Sequence, residues 1–210
     1  MKTAIQQTDI HAGSDQIKWK HGNFSLKAAW NCCRVTGNRC TWARLCWKHC
    51  RSRISLCVVI ILHNKNLSFV NLQKRGLPVT SICHNCYAGD HSNEHLFYHC
   101  GFAVEIWRGV FDLLQLQVPQ FLSLNHIVDW FLQNTMTKSL KSKILNGIFP
   151  VTLWKIWSSR NAMLHTGIQE QSSHAVQAII WDVNTYLNIS LADLLIVFGL
   201  QFFFLRYVVC

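Results

Sequence analysis

Acidic residues are scarce in this chain, with ten Asp and Glu in 210 residues against twenty Lys and Arg. They are scattered singly, and no two aspartates are adjacent. Two-metal phosphoryl-transfer chemistry, as in polymerases and ribonuclease H, needs clustered carboxylates to hold its ions. Neither site is expected, and the chain is read as a non-enzyme. Charge of any sign is sparse at 14%, which predicts poor solubility. The first twenty residues hold no apolar segment of the kind that heads a secreted protein. An intracellular location, nucleus or cytoplasm, is therefore expected, and the ten cysteines are read as metal-bound or free thiols and not as disulfides. A long uninterrupted apolar run is also missing. Residues 191–210 are apolar but carry Asp193, Gln201 and Arg206, and a membrane span needs about 20 apolar residues. No membrane partner is expected, and this tail is read as a buried helix or strand or as a frame-shifted end.

Cysteine and histidine, by contrast, are concentrated. Between Cys83 and Cys100 the spacing C-x2-C-x8-H-x4-C sets out Cys83, Cys86, His95 and Cys100. Three thiolates and one imidazole make a closed tetrahedral set for Zn²⁺, with no position left for water, which points to a structural ion over a hydrolytic one. Gly89 and the polar loop composition agree with such a site. His84, His91 and His99 lie in the same stretch, and His99 is the one rival, as a substitute for Cys100.

The flanks of this stretch carry a resemblance. Cys83-x2-Cys86, Asn93-Glu94-His95-Leu96-Phe97, Cys100, Ala103 and Trp107 resemble the reverse transcriptase zinc-binding domain of plant LINE-type, non-LTR retroelements. Upstream, Asp15-x-Ile17-x-Trp19 with Gly22-Asn23-Phe24-Ser25-Leu26-Lys27-Ala28-Ala29 is similar to an early segment of that family. Trp47, Leu62-His63-Asn64-Lys65-x-Leu67 and Asn71-Leu72-x-Lys74-Arg75-Gly76 are similar to its run into the zinc loop. Downstream, Trp154-x-x-Trp157-x-x-Arg160-Asn161 resembles a helix that follows the domain. The resemblance covers roughly residues 15 to 165. It implies a Zn²⁺ cofactor and a role beside nucleic acid, and in related elements a ribonuclease H domain would follow. Cys46 and Cys50 stand one helical turn apart, a spacing a second metal could use. The family pattern has no ligands there, so they are read as free thiols.

The fold class expected is mainly α, a small helical domain stapled by the Cys-Cys-His-Cys zinc loop. The expected divisions are a disordered start over 1–14, the zinc-binding-like domain over 15–114, a helical extension over 115–165, and a C-terminal helix with apolar tail over 166–210. Ser25 caps a helix from Leu26 to about Val35, and Arg44–His63 reads as one helix. Ser68 caps a short helix over Phe69–Arg75, stopped by Gly76 and Pro78. Apolar residues at Phe102, Ile106, Val110 and Leu113 mark another, with Trp107 read as a core residue over the metal site. Ser123 caps a further helix, Pro119 marks a loop, and Ser173 opens a helix through Leu187. Gly147 and Pro150 are expected to split or kink the pattern over Ser139–Leu164. Trp154, Trp157 and Arg160 read there as a packed face bearing one solvated cation.

A net charge of +10 makes polyanions the natural partners. Lys65, Lys74, Arg75 and Arg108 are the residues expected to meet phosphates, in weak and non-specific binding of RNA or DNA. No small-molecule substrate is expected. The alternative is that zinc only staples a helical scaffold, a remnant or a protein-interaction piece.

Overall fold

A computed structural model describes residues 18–19, 22–23, 25–33, 37, 40–47, 49–117 and 123–198. The expected disorder over 1–14, the loop at Pro119 and the tail beyond Phe198 lie outside these residues. The chain divides into two units, Met1–Arg39 and Cys40–Cys210. In the first, β1 (Lys18–Trp19) pairs antiparallel with β2 (Gly22–Asn23), Lys18 opposite Asn23. The helix α1 (Leu26–Cys33) follows, and the Ser25 hydroxyl accepts the Ala28 amide at 3.0 Å, satisfying one of the orphan donors of a first turn. None of its residues is buried.

The second unit is helical: α2 (Ala43–Trp47), α3 (Ser52–Leu62), α4 (Phe69–Lys74), a π-helical turn (His95–His99), α5 (Gly101–Leu113), α6 (Leu124–Asn134), α7 (Leu140–Thr166), α8 (Ser172–Leu187) and α9 (Leu191–Phe198). The mainly α expectation holds. Two caps read from the sequence are formed here, Ser68 accepting from the Asn71 amide and Ser123 from His126. Ser139 adds one that was not read, accepting from Ser142. The helix expected to open at Ser173 starts at Ser172 behind Gln171, with no side-chain cap. Among the described residues no helix is long and apolar enough to cross a membrane.

The axis of this unit is α7, which packs against α2, α3, α5, α6, α8, α9 and the π turn. Its residues from Ile144 to Leu153 are all buried, as expected of a helix with neighbours on every side. The break anticipated at Gly147 and Pro150 does not divide it; the helix runs unbroken through both. Gly147 is a packing position instead. A Cβ there would lie 3.2 Å from the His49 carbonyl oxygen and 3.2 Å from a Val183 methyl, so its absence lets a loop and α8 close onto α7.

That same approach accounts for a second difference. Arg44–His63 is two helices, α2 and α3, separated by bends at His49 and Cys50. The turn leaves Leu45 and Cys46 on one side and Ile54, Val58 and Ile61 on the other all buried in one core. A single straight helix would place His49 inside its own ladder, not against Gly147.

Candidate metal centre

The loop from Ser81 to His91 is closed at its neck by an antiparallel bridge between Ile82 and Asp90 and by the His91 amide donating to the Ser81 carbonyl at 2.5 Å. Inside it the Tyr87 amide donates to the Cys83 carbonyl at 2.8 Å, and the Cys83 amide to the Gly89 carbonyl at 3.2 Å. This knuckle turns Cys83 and Cys86 toward a common point. Gly89 is required twice over: its φ is +74°, and a Cβ would stand 2.9 Å from the His95 ring.

His95 and Cys100 come from the other side, at the two ends of the π turn. The Cys100 amide donates to the His95 carbonyl at 2.6 Å, an i→i+5 bond. In an α-helix, side chains three and four apart lie over one another; the wider π turn brings residues five apart together. The H-x4-C spacing and the π geometry are thus one feature.

The four donor atoms, three Sγ and a His95 ring nitrogen, all lie within 4.8 Å of one another. The Cys83 and Cys100 sulfurs are 3.8 Å apart, and Cys86 Sγ is 3.1 Å from His95 Nε2. Zn–S bonds of about 2.3 Å at tetrahedral angles give an S–S edge of roughly 3.8 Å, so the donor set fits zinc. Cys83 and Cys100 are fully buried. The Cys100 thiol leaning on the Cys83 sulfur holds the Cys83 proton affinity well below the ordinary range, and the same contact, with burial, holds that of Cys100 above it. His99, the rival fourth ligand, is exposed and outside the cluster, and His84 stacks edge-on to Phe69 at 5.1 Å. Cys46, Cys50 and Cys57 are outside it too. Burial pushes Cys46 up to about 12 and Cys57 to about 11, the mark of inert thiols.

Helices hold the centre from several directions. Trp107 on α5 is buried, and its Nε1 donates to the Phe97 carbonyl at 2.9 Å inside the π turn, as its reading as a core residue anticipated. Glu94 accepts the Leu124 amide at the start of α6 at 2.9 Å. From α7 comes the largest departure from expectation: Arg160 is no solvated cation. It is 3% exposed, its Nε donates to His91 Nε2 at 2.8 Å, and its guanidinium lies 4.8 Å from the Phe69 ring centre and 5.0 Å from that of Trp157. His91 is completely buried, and its Nδ1 faces the Phe69 amide at 3.0 Å. Burial first, and the Arg160 charge second, push His91 down to about 4.

Of the residues expected to meet phosphate, Lys65, Lys74 and Arg75 are exposed. Arg75 Nη2 donates to the Lys65 carbonyl at 3.2 Å, joining the end of α4 to the early part of the α3–α4 connection. Exposed Tyr87, with φ +54°, lies on the knuckle, 6.4 Å from the His84 ring. Arg108 is exposed but on α5, where Glu105 and Asp112 share its face at i−3 and i+4.

The family model for zinc-binding in reverse transcriptase matches residues 24–107. The match takes in all four clustered donors and ends at Trp107, so α6 to α9, and Arg160 with them, lie beyond it. No curated protein and no solved structure matches the chain.

Proposed function

We propose that Cys83, Cys86, His95 and Cys100 hold one structural Zn²⁺ in a nucleic-acid-binding module, derived from the reverse transcriptase protein of a LINE-type, non-LTR retroelement and without a catalytic site of its own. The observation that carries the zinc reading is the closed Cys₃His donor set converging within 4.8 Å. When bound, the ion supplies folding free energy, on the order of 10 kcal/mol in small structural sites, and fixes the knuckle. Exposed Lys65, Lys74 and Arg75 present charge, and exposed Tyr87 on the knuckle presents a ring, the two kinds of group that hold single strands. Arg108, flanked by two carboxylates, contributes less than these three. Binding is weak and nearly indifferent to sequence, because contacts to phosphates carry no sequence information.

Two measurements test this. Metal analysis of the purified chain is expected to give one zinc per chain. A salt titration of binding to mixed single-stranded RNA should then show a slope that falls by roughly 1 to 1.5 in Lys74→Ala with Arg75→Ala, at about 0.7 per phosphate contact. Tyr87→Ala should remove a salt-independent part of the affinity. Zinc at full stoichiometry with no binding at low salt would leave a stapled scaffold in place of a nucleic-acid module.

A further inference from the structure

A buried cation normally has an anion beside it, because removing an unpaired charge from water is costly. Arg160 has none in its immediate contacts. Its partners are His91, the Asn161 side-chain oxygen at 2.7 Å, the Leu67 carbonyl at 3.4 Å and the rings of Phe69 and Trp157, all neutral. Among the described residues the one ion pair joins Lys155 to Glu170 and does not include it. The metal centre has the complementary imbalance. Three thiolates and a neutral imidazole around a divalent ion leave one net negative charge, and the charge of buried Cys83 acts on the guanidinium.

From this pairing we infer that Arg160 is the counter-charge of the loaded metal centre and, through His91, the residue that positions the loop carrying Cys83 and Cys86. The inference rests on the zinc reading above. The geometry supports both halves. Arg160 is anchored on α7, which packs against helices on several sides, and its Nε reaches the residue that closes the neck of the Ser81–His91 loop. The electrostatics agree: burial lowers the guanidinium to about 10, and the Cys83 charge acts against that lowering. Without metal the centre and the cation lose part of their mutual stabilisation, so occupancy of the site and seating of the arginine strengthen each other. Residues well outside the matched segment therefore set how tightly the ion is held.

The test compares full-length wild type, Arg160→Met and Arg160→Lys, each titrated with zinc against a chromophoric chelator, with Co²⁺ absorption reporting the ligand set. Wild type without stoichiometric zinc would defeat the zinc reading itself. With zinc bound, Arg160→Met is expected to lose about 10- to 100-fold in affinity, the usual effect of removing a group that supports metal ligands. Its thiolate-to-cobalt charge-transfer bands should stay unchanged, because all four ligands remain. Arg160→Lys, which keeps the charge and loses the planar fork, is expected to recover most of that affinity. Equal affinity in Arg160→Met and wild type overturns the inference, and so does an equal loss in both variants, which would leave packing alone as the cause. Should Arg160→Met fail to fold, Arg160→Lys decides. Affinity within about threefold of wild type upholds a charge role, and a loss of the 10- to 100-fold size overturns it.

Discussion

The side-chain amide of Asn93 donates to the main-chain carbonyl of Ile61, 2.8 Å away and 32 positions earlier in the chain. The same carbonyl accepts the Asn64 amide at 2.8 Å, so Asn93 supplies its second bond, and that bond fixes the residue two places before the His95 ligand. Asn93→Ala is expected to cost about 1 kcal/mol, a fall in melting temperature of roughly 2–4 °C for a chain of this size. Thermal unfolding of the zinc-loaded chain measures it. An unchanged midpoint would mean that the α3 end is solvated and the contact adds nothing.

Gly89→Ala attacks the site through the backbone. The new methyl would meet the His95 ring at 2.9 Å in a left-handed conformation that alanine disfavours. A strain of about 1–3 kcal/mol corresponds to roughly a 5- to 150-fold loss of zinc affinity. Chelator competition reads it directly, and wild-type affinity in this variant would show that the ring can move aside freely.

Ligand assignment separates by substitution. Cys86→Ser should abolish stoichiometric zinc, whereas Cys46→Ser and His84→Ala should retain it, since neither lies in the cluster. His99→Ala should also retain it. Loss of metal in His99→Ala would reverse the assignment of the fourth ligand.

His91 gives the fold an acid limit. Its ring is neutral in the folded chain down to about 4, against an ordinary value of 6.5. Between those values the unfolded chain binds a proton that the folded chain does not, so stability rises with pH across this window and is lost on acidification from 6.5 toward 4. The size of the effect is on the order of 3 kcal/mol. His91→Gln is expected to flatten this part of the stability curve relative to wild type, while the acid release of zinc, common to both, remains. Parallel curves for the two chains would place the sensitivity elsewhere.

Local chemistry was legible and distant contact was not. Ser68 and Ser123 each sit three residues before the amide they accept, so their caps can be read from a few consecutive letters. The four donors are also legible, because C-x2-C and H-x4-C are each confined to a single turn. The partition of Arg44–His63 into α2 and α3 was hidden, since it depends on His49 meeting Gly147 across the fold. Pro150 and Gly147 looked like breakers because sequence shows the missing donor and side chain, not the neighbours that pack α7 on every side. Arg160 looked solvated for the same reason: nothing within its own helix discloses His91, 69 positions away. What could have pointed to it was the motif around Trp157, Arg160 and Asn161, whose polar residues interrupt an otherwise packed helix.

That separation also sets an order of events during synthesis, in which a chain emerges from its N-terminus and folds as its parts become available. All four metal donors are present once Cys100 has appeared, with α5, α6 and the whole of α7 still unmade. The knuckle can thus capture an ion early and alone, but the arginine that braces it arrives only with the C-terminal half of α7. Until then the nascent site is open to exchange of its metal, and completion of α7 converts a provisional capture into a retained one.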